Sequence, residues 1–214
     1  MPQGRPTTAT SRRSPRRRDD LVDAAVGAFA TNGVGGTSVD DIVRAAGVAK
    51  GTFYRYFEDK SQLVQALFVP VAEAFRAATD RASIALAGAK TRGELEDAYR
   101  ALALHLASTL LPQARLVQLY LQESRAPAVG ARAPIRQLSD DVAARAIALT
   151  RVARERGLLR DLPPNVTALA VVGAVETLLH QYVQGRETGD PGATSEALVS
   201  MVLHGVQAKP RGGR

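Results

Sequence analysis

Apolar residues along this chain recur at three- and four-residue intervals almost from end to end, and nowhere alternate for more than a few positions. That spacing predicts amphipathic helices, because strands would need a period of two. Leu21, Ala25, Ala28 and Phe29 give a first helix one buried face; Ser14 and Pro15 open it and Asn32-Gly33 ends it. Val34 to Gly36 connects it to a second helix that starts at Thr37 or Ser38, with Asp40 or Asp41 at capping-box spacing. Val39, Ile42, Val43 and Ala46 share the apolar face of that helix. Gly47 stands where it must stop, since glycine adopts the left-handed conformation at little cost, and Val48 is placed as a plug before the next helix. The third helix runs from about Ala49 to Phe57, with Phe53 and Phe57 one turn apart as its anchors. Beyond Lys60 the pattern predicts helices near 60–86, 92–110, 113–125, 135–156, 164–185 and 193–207, separated by proline- and glycine-marked breaks. Pro70 kinks or divides the first of these. The total is nine helices, an all-α fold.

The second and third helices, TSVDDIVRAAGVAKGTFYRYFEDK, carry the strongest functional signal. Two short helices joined by a tight glycine turn have the layout of a helix-turn-helix, which places its second helix in the DNA major groove. At about 100° per residue, Gly51, Thr52 and Arg55 point away from the phenylalanine anchors, with Lys50, Tyr54 and Tyr56 flanking them. A glycine inside a helix costs roughly 1 kcal/mol relative to alanine, so Gly51 implies close approach to another surface. Tyr54, Tyr56 and Lys60 are suited to hold phosphates; Lys50, Thr52 and Arg55 are suited to touch base edges. Asp59, with Gln62 three residues on, can cap the following helix. The competing reading is an ordinary three-helix packing unit, which would not need these residues grouped on its outer half.

Residues 21–67 resemble the DNA-binding domain of the TetR family of transcriptional regulators, through LVDAAVGAFATNGVGGTSV, DIVRAAGVAKGTFYRYF and the lysine of EDK. The resemblance implies DNA contacts at Lys50, Gly51, Thr52, Tyr54, Tyr56 and Lys60, with Thr37 and Ser38 at a helix start that often touches phosphate. It also implies a fourth helix leading into a ligand-binding, dimerising domain, and nine helices in all. Ala49 departs from the family's usual serine, which removes the side-chain cap of the reading helix, and Val43 replaces a common alanine.

Charge refines this picture. The net charge of +7 is concentrated at the ends: residues 1–18 hold Arg5, Arg12, Arg13, Arg16, Arg17 and Arg18 and no acid, and 209–214 add three basic groups. The expected organisation is a disordered basic arm (1–14), a helix-turn-helix domain (15–60), a helical effector and dimerisation domain (61–208) and a basic tail (209–214). Arg12, Arg13, Arg16, Arg17 and Arg18 either lie along DNA phosphates or in a minor groove, or belong to a solvated tail. There is no cysteine, hence no disulfide or thiolate metal site, and three scattered histidines make no metal site. No cofactor is expected. No secretory signal or stretch of transmembrane length is expected either, and a soluble, cytoplasmic protein is the simplest reading. Asp19, Asp20 and Asp23 match a magnesium-diphosphate motif of prenyl-chain enzymes, but they open a helix beside arginines, where acids are ordinary dipole partners; an enzyme is not expected.

Two further expectations concern the larger domain. Val171, Val175, Leu178, Leu179 and Tyr182 form one apolar strip and Leu198, Met201, Val202 and Gly205 another, suited to pack with a second copy as a four-helix bundle, or to be buried within one subunit. The family resemblance implies the dimer, and two reading helices about 34–36 Å apart would read successive major grooves of a palindromic operator. Tyr99, His105, Thr109, Gln118, Gln122, Glu176 and His180 are the polar groups expected to line a small-molecule pocket among mostly apolar helices. Glu176 and His180, one turn apart, can bond each other, converge on a ligand, or form a polar seam at the dimer contact or a solvated stripe, and His105, among leucines, can equally be a satisfied core residue. The expected function is a DNA-binding transcriptional regulator, a repressor released from its operator by a small molecule; the alternative is a ligand-independent or architectural DNA-binding protein.

Overall fold

The computed structural model describes residues 13–157, 159–186 and 188–204. All regular elements among them are helical: α1 (Arg13–Gly36), α2 (Val39–Ala45), α3 (Lys50–Tyr56), α4 (Lys60–Gly88), α5 (Arg92–Leu110), α6 (Ala114–Glu123), α7 (Ala133–Glu155), α8 (Pro164–Val183) and α9 (Pro191–His204). Short 3₁₀ turns, Leu111–Gln113 and Gly130–Arg132, precede α6 and α7. The regular part of α1 ends at Gly33, whose φ of +70° only glycine takes readily, so the Asn32-Gly33 stop is where the sequence puts it. α4 runs through Pro70 undivided. Of the expected disordered arm only Arg13 and Ser14 are described, and both lie in α1; the rest of it, the tail and Gly205 lie outside the described residues.

Local sequence explains most boundaries. Thr91 caps α5 in a reciprocal box with Glu94, and Asp59 caps α4 by accepting from the Gln62 amide. Prolines at the first turns of α7 and α8 cost no hydrogen bond there.

Burial divides into two clusters. The first joins Leu21, Phe29 and Val34 of α1, Ile42 of α2, Phe53 of α3 and Leu63, Val64 and Phe68 of α4 with Leu119 of α6 and Ile135 and Leu138 of α7. The three-helix head therefore shares one core with the near ends of α4, α6 and α7. The second cluster, at the far end, is built from Ala82, Leu86, Leu95, Ala98, Leu149 and Ala153.

α8 corrects one expectation. Among the described residues it is the single helix long and apolar enough to cross a membrane, although no stretch of that kind is expected from the sequence. Almost none of that window is buried in the single chain; Val166 is 60% and Leu169 48% exposed. Glu176, in its second half, is bonded to Tyr120 and Arg125 of the α6 region, so this helix packs as part of a bundle with an apolar face left over.

Candidate nucleic-acid interface

The start of α2 fixes the head. Ser38 is the N-cap: its hydroxyl accepts the Asp41 amide at 3.1 Å, and the Asp41 carboxylate accepts the Ser38 amide at 3.0 Å. Hydrogen bonds from Ser38, the side-chain one first, hold the Asp41 carboxyl below its ordinary range. Of the two capping alternatives the Ser38–Asp41 pair is the one formed, and Ser38 stays exposed. Thr37 is a correction. It is buried, and its hydroxyl donates to the carbonyls of Gly33 (2.8 Å) and Ala28 (3.2 Å), so its side chain is committed inward and offers nothing to a phosphate.

The turn follows the expected form. Gly47 takes φ +65°, the Val48 amide bonds the Val43 carbonyl at 3.0 Å, and Val48 packs on the core. Ala49 then caps α3 without a side-chain bond. Phe53 and Phe57 are buried, their rings 5.6 Å apart, and they orient the helix. Lys50, Gly51, Tyr54 and Arg55 are consequently exposed, while Thr52 and Tyr56 are half-buried at the edge of the strip. An added Cβ on Gly51 would meet no protein atom within 4 Å, so packing within the chain does not require a glycine there. Tyr54 lies edge-on to Phe53 at 5.3 Å, and the Arg55 guanidinium sits 5.1 Å over the Tyr56 ring. Arg18 of α1 lies 5.6 Å over Phe57, which brings one of the N-terminal arginines to the end of the reading helix.

Two expected DNA contacts are already engaged. The Lys50 ammonium pairs with Asp40 of α2 at 2.8 Å; its hydrogen bond to Asp40 raises its pKa and keeps it charged. Both side chains are exposed, so the pair can open toward DNA. Lys60 is a correction: its ammonium donates to the carbonyls of Thr37 (2.6 Å) and Val34 (2.7 Å), stapling the head to α4. Burial, and then repulsion from Arg132, lower its pKa. Two of its three protons are taken, which makes it first a structural residue.

The seven expected effector residues do not share either of the two described concavities. His105 lines a groove of about 200 Å³ between α4 and α5, floored by alanines, where its ring nitrogen meets the Arg81 guanidinium at 2.8 Å. None of the other six lines that groove or the concavity of about 300 Å³ bounded by Arg151, Arg154, Glu155 and Pro164. Tyr99 packs in the far cluster, where burial pushes its phenol up to about 12. The Thr109 hydroxyl donates to the His105 carbonyl within α5; Gln118 is half-buried, Gln122 is exposed, and neither lines the groove. Glu176 is a correction as to partner: it accepts from the Tyr120 hydroxyl at 3.0 Å and from Arg125 at 3.2 Å, whereas His180 is exposed. Tyr120 falls on an apolar face, so the sequence does not single it out; its phenol is pushed up to about 12, mostly by burial, and is therefore a permanent donor.

Residues 21–67 match the model of bacterial regulatory proteins, tetR family. A probable acrEF/envCD operon repressor of Escherichia coli (strain K12) is 37% identical over 54 residues, 25% of this chain and 24% of the relative. The HTH-type transcriptional regulator TtgR of Pseudomonas putida is 40% identical over 58 residues, 27% of this chain and 28% of TtgR. The chain thus spans about a quarter of the length of these relatives, and the likeness lies in the head. Beyond it the fold is shared: the transcriptional regulator FadR from Bacillus subtilis, solved with stearoyl-CoA, superposes with a TM-score of 0.66 at 20% identity, covering 88% of this chain and 99% of FadR. The head, with its third helix, is a helix-turn-helix domain. Residues 21–67 are thus similar to the DNA-binding domain of the tetR family of bacterial regulatory proteins.

Proposed function

We propose that this protein is a dimeric, sequence-specific DNA-binding regulator, a repressor that leaves a palindromic operator when a small molecule binds its helical body. The observation that carries the reading is the exposed strip Lys50, Gly51, Tyr54 and Arg55, held out by buried Phe53 and Phe57. Such a strip can enter a major groove with cations and a hydroxyl at base and phosphate distance and with no Cβ in the way at Gly51. Ser38, Thr52 and Tyr56 border it and supply phosphate contacts. A dimer follows from the reach of one short helix, and the apolar leftovers of α8 and α9, Val166, Leu169, Tyr182, Met201 and Val202, supply a contact face. As a soluble DNA-binding protein it acts in the cytoplasm.

Selection of bound duplexes from random DNA is the test. The expected product is a palindrome bound at least about a thousandfold more tightly than random sequence at physiological salt. Uniform binding of all duplexes would instead mark an architectural protein. A second reading is a regulator that needs no small molecule, since neither described concavity gathers more than one of the expected effector residues. A screen in which no small molecule releases the selected operator would establish it.

A further inference from the structure

The corner between α1 and α2 is held by three charged side chains from outside it. Val34, with no exposed surface, donates its amide to Oε1 of Glu123 at 2.9 Å, and its carbonyl accepts the Lys60 ammonium at 2.7 Å. Glu123 is the last residue of α6 and only 3% exposed; its Oε2 accepts from Nε of Arg132 at 2.5 Å. The corner is cut to admit these groups. A Cβ on Gly33 would stand 2.8 Å from Glu123 Oε1, and one on Gly35 would stand 2.7 Å from a terminal nitrogen of Arg132. Charged groups do not take so buried a place at no cost, because desolvation must be offset by the bonds made there.

The other end of α6 is tied elsewhere. Tyr120, one turn before Glu123 on the same helical face, donates to Glu176 of α8. A ten-residue helix therefore touches α8 through one side chain and the hinge of the reading head through another. We propose that Glu123, braced by Arg132, is the positioning residue that sets the angle of the reading head, and that α6 relays to it the state of the Glu176–Tyr120 contact. This rests on the regulator reading above. α6 is short and stiff, so movement at Tyr120 is delivered to the Val34 amide rather than absorbed. Lys60, holding the Val34 carbonyl from α4, opposes that movement and makes the corner a balance between two levers.

Spatial adjacency alone does not establish coupling, so the test is a double-mutant cycle read as operator affinity on the selected duplex. Glu176→Gln keeps an acceptor for Tyr120 but removes the charge; Glu123→Gln keeps an acceptor for Val34 but removes the charge facing Arg132. We expect E176Q to change the dissociation constant at least about fivefold in the otherwise native chain and by under about twofold in the E123Q background. The same change paired with Lys50→Ala should add independently. Circular dichroism at the assay temperature confirms that each variant is folded; if E123Q is not, Arg132→Lys replaces it. An equal effect of E176Q in both backgrounds overturns the proposal. So does a drop in melting temperature with unchanged operator affinity, which would make Glu123 a stability pin only. If the unchanged chain selects no duplex, the regulator reading fails first and this inference with it; additivity in a chain that does bind its operator sinks the relay alone.

Discussion

At the scale of single residues, two side chains of the head separate DNA recognition from folding. Gly51 has open space where a Cβ would stand, and alanine is the better helix former. Gly51→Ala should therefore leave the free protein as stable, or more stable by up to about 1 kcal/mol. Operator binding should nonetheless weaken about tenfold, because the methyl group stands where the DNA approaches. Thermal melting and operator titration on the same samples check both halves; unchanged affinity would remove Gly51 from the interface. Thr37 predicts the reverse. Thr37→Val deprives the buried Gly33 carbonyl and the part-buried Ala28 carbonyl of a donor and should cost about 1–3 kcal/mol of stability, with operator affinity unchanged for the folded fraction. A third test uses the Lys50–Asp40 pair, which must open for Lys50 to reach a base. Asp40→Asn should raise operator affinity by about two- to fivefold, and Lys50→Ala should lower it by about tenfold to a hundredfold. If both weaken binding alike, the pair positions α3 and does not compete with DNA.

At the scale of elements, what the sequence makes legible is what neighbours within a few residues decide. Ser38 with Asp41, Asp59 with Gln62, Asn32-Gly33 and Gly47 each use partners at most four residues away, and the helices they bound lie where the pattern places them. Lys60 defeats that reading because its partners come from another element: Val34 stands 26 positions away, and no local signal marks it. Thr37 bonds Gly33 only four positions back, but its burial is decided by the packing of the head and not by its neighbours in sequence. Glu123 lies 89 positions from the amide it accepts. The effector residues stand out in sequence as polar groups on apolar helices, a criterion that cannot tell a cavity wall from a seam such as Glu176–Tyr120. The apolar strips of the last two helices are legible, yet their register shifts. Val171, Val175, Leu178 and Leu179 are half-buried within the chain or nearly so, while Val166, Leu169 and Tyr182 project outward. Leu169→Glu should accordingly break the dimer without unfolding the subunit, since the residue is about half exposed already. Sedimentation equilibrium should then give the mass of one chain, and operator affinity should collapse as the paired reading helices separate. A dimer that survives this change would place the interface elsewhere.

At the scale of the whole molecule, charge is distributed against the shape of the interface. Residues 19–208 hold 19 basic and 21 acidic groups, a net of −2, so the +7 of the chain comes from its ends. The reading unit is itself close to balanced, with Lys50 tied to Asp40 and Arg44 to Asp41. If the ends supply the attraction to a polyanion, the six arginines before Asp19 are the larger share of it, and the fold gives them a direction. α1 already includes Arg13, Arg16, Arg17 and Arg18, and Arg18 stacks on Phe57 at the end of the reading helix. A helical arm ending at the head would deliver its cations beside the groove that α3 enters, where each neutralised phosphate releases condensed counterions. Replacing Arg12, Arg13, Arg16 and Arg17 with glutamine, and leaving Arg18 in its packing role, should lower the slope of log affinity against log salt. The decrease should be about 0.9 for each phosphate no longer neutralised, up to about 3.6 for all four. Sequence preference, measured as the ratio of operator to random duplex, should hold, because both affinities fall by the same factor. If the slope is unchanged, the arm is a solvated tail, and the near-neutral head must bind DNA through Lys50, Arg55 and hydrogen-bonding side chains alone, with affinity that depends little on salt.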